Sequence, residues 1–265
     1  MSRNLLFKSL ITLILVGFVV FAGFYGIRAY RENKQESLVY PTKKISIPEG
    51  YTARQIDQLL VTSGIVREEG VITDFDIGRF KDEYWFLEDA QRVEGFLFPD
   101  TYEFYLDSTP EVVIKKFLDN FKSKTDALLS EVSASEAYKR ITLASIIEEE
   151  VPDEGDDQRL VAGLLISRMT EGMRLQVDAA LCYAKGELTC DIKPGDKQID
   201  SPYNTYRNAG LPPSPISNPG LSALRAALSP KASDFRYYIS DPGTKKTIFA
   251  KTLDEHNKNV VKYLR

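Results

Sequence analysis

Nineteen consecutive residues without a charge, Ser9 to Ile27 (SLITLILVGFVVFAGFYGI), stand close to the start of the chain. As a helix, that run is about long enough to cross the hydrocarbon core of a bilayer. Tyr25 and Tyr30 sit near one end, where aromatic rings favour the membrane interface. A cleaved signal peptide is the competing reading. Its apolar core would be unusually long, and no small-x-small cleavage site follows. The expectation is therefore a retained single-pass anchor at residues 9–28, with a short cytoplasmic tail at 1–8 and a tether at 29–44. Arg3 and Lys8 precede the span while Arg28, Arg31 and Lys34 follow it, so basic residues do not orient it. A large folded domain outside the plasma (inner) membrane is the default topology.

The 265 residues suffice for one sizeable core plus a smaller module, and 43% apolar with 27% charged residues is ordinary for a globular protein. A net charge of -4 and the lack of a long basic run give no reason to expect nucleic acid as a partner. Two cysteines and one histidine leave no zinc constellation, so neither metal nor cofactor is expected. Cys182 and Cys190 are open to two readings: a local disulfide if the domain is extracytoplasmic, or two independent small apolar side chains.

Beyond the tether, ISIPEG reads as a short strand and turn. YTARQIDQLLVTSG reads as a helix with Thr52 and Gln55 in capping-box spacing and Gly64 as its stop. A second short helix is expected between Glu69 and Phe80. Pro110 suits the first position of a helix capped by Thr109. Helices also fit Ser135 to Glu150, Asp157 to Thr170 and LSALRAALSP, while the stretch beyond Gly172 is rich in loop-forming residues. FRYYIS and KTIFA flank DPGTK as a hairpin. A last helix begins with Thr252 and Glu255, again in capping-box register. The fold class expected is α+β: an N-terminal transmembrane helix, a small module over 45–90, and a mixed helical and β domain over 91–265.

The segment ITLASIIEEEV runs from an apolar helix straight into three glutamates. Residues three and four apart share a helix face, so Glu150 continues the stripe of Leu143, Ile146 and Ile147, whereas Glu148 and Glu149 lie on mixed faces. Pro152 places Glu150 in the last turn. There the helix dipole, burial and neighbouring carboxylates all raise a carboxyl's pKa, which suits a group that holds a proton near neutrality and then releases it. From spacing alone, a solvated helix tip remains the simpler reading of EEE. Asp178 is the best second carboxylate by context, with a turn or cap role as its alternative. His256 has no nucleophile signature beside it and reads as a packing or capping residue.

LASIIEEEV, GMRLQVDAALCYA, SPYNTYRNAGLPPSPISNPG and HNKNV resemble, in order, signature segments of the endolytic murein transglycosylase (YceG-like) family. VEGFLFPDTYEF resembles the segment preceding them, and residues 45–80 are similar to that family's LysM-like module. The cysteines are not part of the pattern. The resemblance implies a bitopic inner-membrane protein whose external domain cuts peptidoglycan strands internally, in association with cell-wall synthases. It also implies that the catalytic acid is the second Glu of an E-x-E pair, which is Glu150 here.

On that reading Glu150 acts first as acid and then as base, while the muramoyl C6 hydroxyl attacks C1 of its own sugar to leave a 1,6-anhydro end. Gln176, Asp178, Tyr203, Asn204, Thr205 and Tyr206 are the candidate substrate-binding residues, offering aromatic faces and hydrogen-bonding groups. For the tyrosines, packing beneath a loop is the alternative. Two other functions stay open. One is a hydrolase pairing Glu150 with Asp178; the other is a non-catalytic membrane-tethered glycan-binding scaffold.

Overall fold

A computed structural model of the chain describes residues 16–28, 40–151, 155–187, 190–244 and 246–264. Two compact units are found, Met1–Pro41 and Thr42–Arg265. In the first, residues 16–28 are helical with exposed side chains. Thirteen helical residues rise about 20 Å, short of a bilayer core. Among the described residues no helix is long and apolar enough to cross a membrane. Residues 1–15 and 29–39, which hold the expected tail, the start of the span and most of the tether, lie outside the described set.

In the second unit, β1 (Thr42–Ser46) pairs antiparallel with β2 (Thr101–Tyr105), Thr42 opposite Tyr105 and Ser46 opposite Thr101. Period-two alternation turns Tyr102 and Phe104 inward and leaves Thr101, Glu103 and Tyr105 outside. The inner face meets α2 (Pro110–Leu129), where the Phe117 ring lies 4.6 Å from Tyr102. Between the two strands runs α1 (Ala53–Thr62), closed at its start by the expected capping box of Thr52 and Gln55. β1, at the start of the stretch 45–90 expected as a module, and β2, beyond its end, share this two-stranded sheet.

The expected helix between Glu69 and Phe80 is also absent. That stretch forms turns and one 3-10 turn, Ile77–Phe80. Gly70, with φ +85, breaks it, and the buried Asp57 carboxylate instead takes the amides of Gly70 and Ile72 at 2.7 and 2.9 Å.

At the centre lies α3 (Ala134–Glu150), capped by Ser133, which accepts from the Glu136 amide. Every residue from Ile141 to Ile147 is buried, so this helix is enclosed on all sides rather than along one stripe. It packs along α4 (Asp156–Thr170) and most closely along α6 (Leu221–Leu228). Between those two in sequence comes α5 (Asp178–Lys185), which ends at Gly186 in the left-handed region. This two-turn helix was not expected from its loop-rich surroundings. Cys182, within this helix, is joined as a disulfide to Cys190, just beyond its end.

Asn218, fully buried, ties these parts together. Its Oδ1 accepts from the amides of Gly95 and Leu97 at 2.9 and 2.8 Å. Its Nδ2 donates to the Tyr51 carbonyl at 2.8 Å and to Glu94 at 3.0 Å. Asn218→Ala strands the two buried amides of Gly95 and Leu97, while the Tyr51 carbonyl keeps the backbone amide of residue 218. Each orphaned group costs roughly 1–3 kcal/mol, so the variant loses about 3 kcal/mol in denaturant unfolding. A loss below about 1 kcal/mol would mean that the network is not what joins these segments.

The chain closes with an antiparallel hairpin, β3 (Tyr237–Ser240) and β4 (Thr247–Ala250), as expected. Against both strands packs α7 (Leu253–Tyr263), which has the expected capping box of Thr252 and Glu255. The architecture is mixed α and β, with the helices forming the bulk of the core.

Candidate active site

The three glutamates at the end of α3 have different surroundings. Glu148 Oε2 accepts the Gly220 amide at 3.0 Å, so this carboxylate closes the N-terminus of α6. A Cβ on Gly220 would fall 1.8 Å from the Glu49 carboxylate, so a larger residue there requires the Glu49 side chain to swing away. Glu149 is exposed, with its carboxylate beside Gly50. Glu150 is half-buried and lines a cleft of about 550 Å3.

The Tyr238 hydroxyl donates to Glu150 Oε2 at 2.8 Å. Burial pushes the Glu150 carboxyl up to about 7, and the negative charges of Asp178 and Glu149 add to the rise. The Tyr238 hydroxyl and the Ala179 amide, in the first turn of α5, act in the opposite direction. Near neutral pH the group is thus divided between its acid and its carboxylate forms.

Across the cleft stand Gln176, Asp178 and Tyr206, three of the expected binding residues. Gln176 holds φ +55, an uncommon conformation for a side-chain-bearing residue, and its amide donates to the Thr205 carbonyl at 3.2 Å. Asp178 opens α5 and accepts the Tyr206 hydroxyl at 2.5 Å. The Tyr206 ring carries Lys197 Nζ 4.3 Å from its centroid.

The other three expected binding residues do not line the cleft. Asn204 is fully buried and spans its own loop, donating to the carbonyls of Lys197 and Ile199 and accepting the Tyr206 amide. Thr205 is buried, its hydroxyl bridging the amide and carbonyl of Val177. Tyr203 packs on Tyr183 and shares a 2.6 Å hydrogen bond with Ser214. Asn204 and Thr205 spend their hydrogen-bonding capacity on backbone and Tyr203 spends its own on the Ser214 side chain, so they brace the segments that carry Gln176 and Tyr206 rather than face a ligand.

Sequence reasoning missed the opposite wall. Tyr237, Tyr238 and Ser240 come from β3, and Leu253, His256 and Val260 from α7. Arg168 also lines the cleft, though its guanidinium is spent on the carbonyls of Arg236 and Leu175. Burial and the nearby Arg168 charge lower the His256 pKa, and its ring lies 5.2 Å from Tyr237, in keeping with the packing role expected. The aromatic run FRYYIS was the available signal, but nothing local ties it to a glutamate 88 positions earlier.

Residues 8–262 match the sequence model of the YceG-like family, nearly the whole chain. The chain belongs to the YceG-like family. Its relatives include the endolytic murein transglycosylase of Bacillus subtilis, 38% identical over 175 residues, which are 65% of this chain and 48% of that one. The endolytic murein transglycosylase of Streptococcus pneumoniae is 28% identical over 248 residues, 83% of this chain and 44% of that protein. The chain spans about half the length of these relatives. A crystal structure of a yceG-like protein from Listeria monocytogenes superposes with a TM-score of 0.71 at 33% identity, covering 87% of this chain and 80% of that one.

Among the described residues no group of His, Cys, Asp and Glu is arranged to hold a metal ion. What the YceG-like cleft presents is a proton-carrying carboxyl, a second carboxyl and aromatic walls. That is equipment for acid and base chemistry on a ring-bearing substrate.

Proposed function

We propose that the chain is an endolytic lytic transglycosylase that cuts bonds between N-acetylmuramic acid and N-acetylglucosamine within peptidoglycan strands. Glu150 carries the chemistry. The observation that supports this most is a single half-buried carboxyl with its pKa near 7, held by Tyr238 at the floor of the cleft.

In the first half of the reaction the Glu150 proton passes to the glycosidic oxygen as the bond from C1 to that oxygen breaks. In the second, the Glu150 carboxylate takes the proton of the C6 hydroxyl as O6 bonds to C1. The products are a free 4-hydroxyl and a 1,6-anhydro ring. No water is consumed, and the enzyme's proton is restored. Asp178 contributes negative charge where positive charge develops on the sugar ring, and the Tyr206 hydroxyl holds it in place. Tyr206 and Tyr237 offer faces for sugar rings, and Gln176 offers an amide for hydroxyl or acetamido groups.

Membrane attachment through residues 9–28, an extracytoplasmic catalytic unit and contact with cell-wall synthases are parts of the same proposal. The uncharged run Ser9–Ile27 supports the first of these, and the Cys182–Cys190 disulfide fits an oxidising exterior.

A hydrolase is the second reading, because Asp178 lines the same cleft as Glu150 and supplies a second carboxyl. Mass analysis of products from defined glycan strands separates the possibilities. New ends lighter by one water are expected. Ordinary reducing ends would establish the hydrolase, and intact strands that still bind would establish a scaffold.

A further inference from the structure

The helix α5 has one end in the Glu150 cleft and the other in a second groove. Asp178 lies at its start and Lys185 at its end, seven residues on, or about 10 Å of helix. The groove encloses about 500 Å3 between the start of α1 (Thr52, Arg54), Thr73 and the acidic Asp74, the Arg92–Glu94 segment and the Tyr183–Glu187 end of α5. Three features show a formed and rigid surface rather than a gap between loops.

Glu94 lies in its floor, 4% exposed. It accepts the Ala53 amide at 2.8 Å, Asn218 Nδ2 at 3.0 Å and the Tyr183 hydroxyl at 3.2 Å. The Cys182–Cys190 disulfide bounds the α5 side. Arg54 reaches across from α1 to the Gly186 carbonyl at 3.4 Å.

Charge on the rim points to the ligand. Lys185 is neutralised by Glu187 at 3.1 Å and Asp196 at 3.0 Å. Arg54 and Arg92 are exposed, and among the described residues neither has a carboxylate partner. Two guanidiniums over a polar groove suit a ligand with ionised carboxylates, each able to take a paired hydrogen bond. In an intact strand the sugars carry no such group, because the lactyl carboxyl of muramic acid is tied up as the amide to the peptide. Peptide arms attached to the lactyl group of muramic acid do, and they project from the glycan at regular intervals.

We propose that this groove is a second substrate subsite that takes the carboxylate-bearing peptide arm of a strand whose glycosidic bond lies at Glu150. Arg54 and Arg92 pair with the arm's carboxylates. The inference rests on the transglycosylase reading above. It adds that cleavage depends on peptide substitution and that the dependence is set at the far end of α5 from the chemistry.

The test compares the full chain with its Arg54→Ala/Arg92→Ala double variant on two substrates: peptide-bearing strands, and strands stripped of peptide by an amidase with the lactyl carboxyls so freed capped as methylamides. Both arginines are exposed, so the fold should tolerate their loss, and thermal unfolding checks this. The unsubstituted chain is expected to show a kcat/KM roughly tenfold higher on peptide-bearing strands, and the double variant a ratio near one. Equal rates on both substrates in the unsubstituted chain would overturn the proposal, as would an unchanged ratio in the variant.

A binding arm keeps this separate from the fate of the transglycosylase reading. A soluble stem tripeptide with free carboxylates is titrated into the Glu150→Gln chain by calorimetry, with and without the two arginine substitutions. Saturable binding lost with the arginines supports the subsite even if no strand is cut. Absence of binding overturns it even if strands are cut.

Discussion

Glu150→Gln should lower strand cleavage by about three to four orders of magnitude while leaving the fold intact. General acid or base assistance is worth roughly 10²–10⁴-fold, and here one carboxyl supplies both. The amide keeps an oxygen to accept the Tyr238 hydroxyl, so the cleft retains its shape. Glu148→Gln should reduce activity far less, because Glu148 is engaged at the Gly220 amide. Equal losses in the two variants would show that the wrong glutamate has been assigned.

The same substitution has a stability signature. The Glu150 carboxyl is raised from 4.5 to about 7. Below pH 4.5 both folded and unfolded chains hold the proton. Between 4.5 and 7 the unfolded chain releases it first, so stability falls as pH rises; above 7 the deficit is constant. Glu150→Gln removes that deficit, on the order of 2–3 kcal/mol at pH 8 and nothing at pH 4. A variant with a higher Tm than the parent at pH 8, and an equal one at pH 4, would show a strained acid retained for its chemistry. A Tm difference that ignores pH would count against the raised pKa.

Tyr238→Phe is the second large effect. The phenol stabilises the Glu150 carboxylate, so removing its hydroxyl raises the Glu150 pKa further. The pH profile of cleavage should move toward alkaline values by about one unit, with kcat reduced roughly tenfold or more as the carboxyl loses its orientation. A tyrosine that merely packed would lower stability without moving the profile. A profile unchanged in position would remove Tyr238 from the mechanism.

How far the sequence foretold these parts depended on range. Both capping boxes, the hairpin at 237–250, Pro110 at its helix start and the phase of Glu150 were legible, because each is set by residues within a turn or two. The β1–β2 pair was not, since its partners are joined by more than fifty residues with no pattern in common. Nor was the arrangement at Asp57, whose carboxylate takes two amides of the stretch expected as a helix.

In the candidate site, the four residues of the YNTY block divide. Tyr206 enters the cleft, while Tyr203, Asn204 and Thr205 brace it. A hydrogen-bonding side chain reads the same in sequence whether its partner is a ligand or the backbone. The choice of Glu150 by an apolar stripe also had a weaker basis than it suggested, because α3 is enclosed on every side. What separates the glutamates is the neighbour each one meets.

Successive glutamates point about 100° apart around the helix axis, so Glu148 and Glu150 are about 200° apart. Glu148 is fastened to the Gly220 amide and Glu150 to Tyr238. Deleting a single residue from the body of α3 would keep all three glutamates at its tip. It would nevertheless rotate the tip relative to both fastenings, delivering the wrong carboxyl to each. The triplet is therefore a keyed end whose angular setting, rather than its abundance of acid, is what the surrounding walls read.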